Sequence, residues 1–169
     1  MRADHDEFDA EWDRIIDATL GVSTPTDYAP IVDVHVLLLR GTDVLLVHRA
    51  NTGISDGMWA LPCGRLRSWE ALPQRASREV REQLALFVPV EALHFAHVTH
   101  HRGMDDRIGF YFTATEWSGQ PHNAEPDRHD TFDWFDLDHL PRDLISYCAT
   151  GITHYRQNVA FSLHNWTSD

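Results

Sequence analysis

Between Gly64 and Leu86 the chain reads GRLRSWEALPQRASREVREQLAL, a stretch whose residue types suit the binding of a hard cation. In a helix, Glu79, Glu82 and Gln83 stand at i, i+3 and i+4 and so share one face. Val80 and Leu84 point about 100° or more round the helix, toward a core. Three long oxygen-bearing side chains on one rigid element suit Mg2+, which takes oxygen ligands from carboxylates, water and substrate phosphates. Arg78 lies four residues before Glu82 and is placed to orient it as an ion pair. The segment from Gly64 to Trp69 is expected to form a loop that offers backbone carbonyls and brings the helix start close to a bound metal. Taken without the flanking residues, the same acids would be a solvated helix face with an ion pair worth roughly a few tenths of a kcal/mol.

The elements that must hold this segment can be read from hydrophobic periodicity. The helix is expected from about Glu70 to Leu84, with Pro73 tolerated in its first turn. Before it, Asp33 to Arg40 reads as a buried strand, Gly41-Thr42 as a tight turn and Val44 to Arg49 as the hairpin partner. Met58 to Pro62 is a short strand leading into Cys63-Gly64. After the helix, strands are expected over Ala92 to His100, Arg107 to Trp117 and Thr131 to Leu137. The second of these alternates, with Ile108, Phe110, Phe112 and Ala114 on one face. Leu144 to about Leu163 supplies a C-terminal helix. Ahead of all this, residues 4 to 20 place Phe8, Trp12, Ile15, Ile16 and Leu20 at helical spacing, and residues 21 to 30 carry turn and breaker types. The division is thus an N-terminal amphipathic helix and linker over 1–27 and one domain over 28–169, of α/β or α+β class. The apolar face of the first helix is expected to pack on the domain or on a second subunit, making a homodimer.

With those residues in place, the segment resembles the Nudix box, Gly-x5-Glu-x7-Arg-Glu-U-x-Glu-Glu-x-Gly-U, where U is a bulky aliphatic residue. Gly64, Glu70, Arg78, Glu79, Val80, Glu82 and Leu86 hold their expected positions, and the resemblance covers roughly residues 30 to 140. It implies the Nudix fold, a mixed β-sheet sandwiched between helices. It also implies hydrolysis of a nucleoside diphosphate linked to a moiety X, with Mg2+ or Mn2+ as cofactor. On that resemblance Glu79 and Glu82 are metal ligands and catalytic carboxylates, with Arg78 beside them. Gln83 and the backbone carbonyl of Cys63 complete the metal site. Glu125, in the loop before the last strand, is the further acid many members add, with Asp105, Asp106 and Asp127 as rivals. Arg49 is placed to reach a phosphate, and Gly64, Glu70 and Trp69 fall to the substrate side.

Four positions depart from the pattern. Gln83 replaces the last glutamate and brings no charge; Ala85 replaces the box glycine. Cys63 stands where a glycine precedes the box, and Trp69 where a small residue precedes Glu70. Together they open a second reading, a catalytically weak module that binds a nucleotide or diphosphate. Cys63-Gly64 also resembles type I isopentenyl diphosphate isomerases, where a catalytic cysteine directly precedes this glycine. Arg65 stands where that family has a metal-ligating histidine. For Trp69 the expectation is a ring that stacks on a flat group or covers its loop.

Composition narrows the partners. The 169 residues carry 26 acidic against 14 basic side chains, a net charge of -12 that repels a nucleic-acid backbone. A small phosphorylated ligand remains open to such a chain, because captured cations reverse the local sign. The longest apolar run, Val34 to Leu39, is too short to cross a bilayer, and the acidic N-terminus is no secretory signal. The two cysteines, Cys63 and Cys148, give no disulfide framework, so a reducing cytoplasm is the expected setting. Cys148 reads as helix packing. His97, His100 and His101 read as a strand end; a histidine metal site there would need a regular strand to put His97 and His101 on one side.

Overall fold

The computed structural model describes residues 29–166. The amphipathic N-terminal segment, and with it the dimer expected from its apolar face, lies outside them. The chain runs β1 (Ile31–Arg40), β2 (Asp43–Arg49), β3 (Trp59–Ala60), β4 (Cys63–Arg65), α1 (Leu72–Leu84), β5 (His94–His101), β6 (Arg107–Ala114), β7 (His129–Asp136), α2 (Ser146–Arg156) and β8 (Phe161–His164). A 3-10 turn, Val90–Ala92, leads into β5. The sheet is mixed, ordered β3-β2-β1-β6-β5-β8, with β4 added to β1 and β7 to β2. No helix among the described residues is long and apolar enough to cross a membrane.

Why β1 anchors everything is visible in its composition. Val34, Val36, Leu37 and Leu38 are all fully buried, so both faces of the strand are covered, as a near-continuous apolar run requires. The strand it lies parallel to, β6, is covered on both faces toward its end. Phe112 and Ala114 are buried on one face, but so are Tyr111 and Thr113 on the other, because helices cover both sides.

Register assigns the two faces. Gly64 pairs with Val34, and Val34 with Phe110. One residue along, Cys63 pairs with His35, and His35 with Tyr111. Successive side chains point to opposite faces. The Gly64 row therefore meets α1, against Arg75 and Glu79, while the His35 row meets α2, where Gly151 lies against the Tyr111 ring. The stretch read as a loop after Gly64 is in part strand: Cys63–Arg65 is bonded to β1, and Leu66 N–H donates to the Val32 carbonyl at 2.8 Å.

The Nudix-box helix begins two residues later than the spacing suggests. Gln74 accepts from Ala71 N–H at 3.2 Å, Pro73 occupies the first turn, and Glu70 stays outside the helix. At the other end Ala85 is left-handed, with φ 53° and ψ 27°. The demand on this position is thus backbone sign rather than close approach, and alanine meets it at a cost of about 1 kcal/mol. Ala85→Gly is expected to raise stability by about 0.5 to 1 kcal/mol in urea unfolding, with turnover unchanged.

The C-terminal element is also shorter than its periodicity implied. The helix stops at Arg156, Asn158 turns left-handed at φ 55°, and Phe161–His164 forms a strand parallel to β5. Buried His97 secures that strand: its ring bonds the Val159 carbonyl at 2.7 Å and the Ser162 hydroxyl at 2.8 Å.

Candidate active site

The carboxylate cluster is built by helix geometry and one glycine. Glu79 and Gln83 are each 3% exposed on the inner face of α1, while Glu82, one position round, is half-buried at the rim. Gln83 Nε2 donates to Glu79 Oε1 at 2.5 Å and to the Cys63 carbonyl at 3.0 Å. Glu79 Oε2 lies against Arg75 Nη2 as an ion pair without hydrogen-bond geometry, and so has no hydrogen-bond partner. Burial, opposed by Arg75 and reinforced by the charges of Glu125 and Glu82, pushes the Glu79 carboxyl up to about 7.

Arg78 does the orienting. It donates to both oxygens of Glu70, at 2.6 and 2.8 Å, and to both oxygens of Glu82 at 2.9 Å. The i,i+4 pair read from the sequence is thus one half of a double clamp. Its hydrogen bonds hold the Glu70 carboxyl below the usual carboxylate range. Glu70, expected on the substrate side, serves here to fix Arg78, and it also accepts from Arg67 N–H at 3.3 Å.

Glu125 arrives from a loop that hangs on the end of α1. The last helix carbonyls need partners. His122 N–H donates to the Leu84 carbonyl at 3.1 Å and Ala124 N–H to that of Gln83 at 2.9 Å. Asn123 finishes the loop, donating to the His129 carbonyl at 2.6 Å and accepting from Glu125 N–H at 3.2 Å. Glu125 Oε2 is buried without a hydrogen-bond partner, its charge felt at Glu79. Asp105 and Asp106 stand instead in the turn between β5 and β6, and Asp127 in the turn before β7.

On the other face of β4 a cavity of about 300 Å³ opens. Cys63 and Arg65 point into it, as strand alternation from Gly64 demands, together with Asp33, His35, Tyr111 and Tyr147. Four arginines, Arg49, Arg65, Arg107 and Arg128, also line it, a local excess of positive charge in an acidic chain. Arg107 is paired with Asp33 at 2.6 Å. Arg49 tethers the neighbouring loop through the Ile54 carbonyl at 3.1 Å and the Thr52 hydroxyl at 3.0 Å. His35 stacks on Tyr111 with centroids 4.5 Å apart, and burial pulls its imidazole down to about 4. Burial likewise pushes the Cys63 thiol up to about 12, so at neutral pH it is protonated rather than a thiolate nucleophile.

Of the two expectations for Trp69, the structure sets aside only the cover over its loop: the residue is fully exposed with φ 63°, meets no other ring among the described residues, and is aimed outward by the left-handed turn into the helix. The β5 strand is regular from His97 to His101, so the two lie on one side, but His97 is buried and spent on β8, and His101 bonds Asn165 at 3.1 Å. Among the described residues no three His, Cys, Asp or Glu side chains gather closely enough to hold an ion by themselves.

The NUDIX domain family model matches residues 29–149. The chain belongs to that family. Among solved structures it is similar to a MutT NUDIX hydrolase from Burkholderia pseudomallei, at 26% identity and TM-score 0.69 over 74% of this chain and 97% of that one. A MutT protein from Methanosarcina mazei Go1 shares the fold at 18% identity and TM-score 0.66, covering 78% of this chain and 96% of the other. So does a bifunctional NMN adenylyltransferase/ADP ribose pyrophosphatase from Francisella tularensis, complexed with AMP and a Mn ion. Its identity is 20% and its TM-score 0.64, over 89% of this chain and 48% of that one. The protein is thus a Nudix hydrolase, an enzyme of pyrophosphate bonds.

Nudix enzymes work with a divalent metal, and the residues present fit one. Three buried oxygens, Glu79 Oε2, Gln83 Oε1 and Glu125 Oε2, lack hydrogen-bond partners, and the donor set is all oxygen. Sequence reading missed three participants. Arg75 falls at an unspecified position of the box and drew no reading. Asn123 sat in an unpatterned loop. The Asp33–Arg107 pair joins residues 74 apart in the chain.

Proposed function

We propose that this Nudix hydrolase is a Mg2+- or Mn2+-dependent pyrophosphohydrolase acting on a small diphosphate joined to a moiety that enters the arginine-lined cavity. The observation that carries the reading is the trio of buried oxygens on Glu79, Gln83 and Glu125 that accept no hydrogen bond, with Glu79 packed against Gly64. These side chains, with Glu82 at the rim and the Cys63 carbonyl, would hold the cation. Bound there, a divalent ion neutralises charge on the phosphates and lowers the pKa of an attacking water. The chain's own groups do the rest. Glu79, held near neutrality, is suited to take a proton from that water, and Arg78 fixes Glu82 through its clamp. Arg49 and Arg128 line the cavity, Arg128 3.7 Å from Glu125, and are suited to meet phosphate oxygens, while His35, Tyr111 and Tyr147 offer flat walls to the moiety. A cytoplasmic setting belongs to the same reading.

One observation favours a second reading, a weak binding module. The Gln83 amide nitrogen donates to Glu79 Oε1 and to the Cys63 carbonyl, so two oxygens of the cluster are already engaged by an uncharged donor. The test is phosphate release from nucleoside triphosphates, dinucleoside polyphosphates, nucleotide sugars and prenyl diphosphates, with Mg2+, Mn2+ or EDTA. Turnover of one class, lost in EDTA, is the expected result, with Gln83→Glu faster than the wild type. No turnover in either protein, with a diphosphate still raising the melting temperature, would transfer the chain to the binding reading.

A further inference from the structure

A guanidinium sits inside the carboxylate cluster. Arg75 lies one helical turn before Glu79 and is only 6% exposed. Its Nη2 contacts Glu79 Oε2, its Nη1 is 3.4 Å from Glu82 Oε2, and its Nε is buried without a partner. The room it occupies is the space over Gly64, where any Cβ would run into its Nη2. Nothing in this arrangement resembles the exposed i,i+4 pair that merely supports a helix. Both side chains are more than nine-tenths buried, and the Arg75 Nε donor is left unsatisfied, an arrangement that disfavours the folded state. The neighbouring Arg78 shows what a structural arginine looks like here, with two carboxylates held at 2.6 to 2.9 Å.

We propose that Arg75 is an internal counter-ion, standing at Glu79 where the charge of a divalent cation would otherwise lie, so that metal binds only by displacing it. The inference rests on the reading that Glu79 belongs to a cation site. Its logic is competition between like charges: a dication entering beside a buried guanidinium is repelled, and the two share one carboxylate oxygen. The same contact keeps the acidic cluster neutralised when no metal is held. Metal affinity is thereby set by a residue outside the ligand set, and outside the seven matching positions of the box.

The test is Mn2+ binding without substrate, followed by the electron paramagnetic resonance of the free ion, in the wild type, Arg75→Gln and Arg75→Ala. Binding at least tenfold tighter in the variants is expected, with a lower melting temperature in EDTA because Glu79 has lost its partner. Equal or weaker binding overturns the proposal. Should both variants fail to fold, the wild type itself decides. The Arg75 Nε–H resonance in a 15N spectrum must shift as Mg2+ is added, and one that stays fixed at saturating Mg2+ overturns it. Tighter Mn2+ binding with no diphosphate hydrolysed would leave the Arg75 assignment standing and remove the hydrolytic reading. Metal-dependent turnover with unaltered Mn2+ affinity in the variants would do the reverse.

Discussion

Gly64→Ala is expected to cost about 3 kcal/mol or more of stability and to remove nearly all turnover. A methyl group at this position would overlap Arg75 Nη2 and Glu79 Oε2 and lie 2.6 Å from the Glu79 carboxyl carbon. Both are the ends of long side chains, so room is made only by driving them out of their buried pair. Glu79 is tied to Gln83 on its other oxygen, and Arg75 is nearly fully buried between the helix and β4. Overpacking of this kind costs about 1 to 3 kcal/mol, and separating a buried ion pair adds a comparable amount. For a domain of this size that lowers the melting temperature by roughly 6 to 12 °C. Differential scanning calorimetry and a phosphate-release assay on the same preparation check both parts. A variant that melts within about 2 °C of the wild type and keeps its rate would show that α1 does not sit this close to β4.

Glu79→Gln is expected to reduce kcat by about 10² to 10⁴ while leaving the fold intact, since the amide is nearly the same shape. Glu79 is the point on which the cluster converges: Gln83 donates to it, Arg75 neutralises it, and the charge of Glu125 reaches it. The substitution removes the negative charge that would hold both cation and proton. The variant should therefore also lose the rise in melting temperature that Mg2+ gives the wild type. A rate within about threefold of the wild type, or an undiminished Mg2+ effect on melting, would place the cation and the proton transfer on other groups.

How much of this was legible in the sequence depended on whether the determinant was local. The fold class was readable because β1 and the α1 periodicity are strong short-range patterns. Seven in-register positions from Gly64 to Leu86 then pointed to the family. The inner face of α1 followed from helical geometry alone, with Glu79 and Gln83 buried on the inward side and Val80 and Leu84 in the core. What stayed hidden was set by contacts across the chain. The strand at Phe161–His164 continues an apolar pattern that also suits a helix, and pairing with β5 together with the His97 bonds decides between the two. The cavity gathers residues from five strands and α2, with no run of sequence to announce it. Arg75 had no signal of its own. Only the absent Cβ at Gly64, eleven residues earlier in the chain, shows that a large side chain fits there.

The three residues of β4 carry a consequence for how this protein can change. Arg65 and Cys63 face the cavity, and Gly64 between them faces the carboxylates, so one short strand serves two surfaces at once. Substitution at the two outer positions can retune what the cavity admits without touching the metal side. Insertion or deletion of a single residue ahead of the strand cannot. A slip of one position exchanges the faces, sending a thiol or a guanidinium into the space that only glycine fits. Lineages descended from this chain should accordingly vary freely in side chain at 63 and 65 while keeping the length of the segment between β3 and α1 fixed at its β3 end.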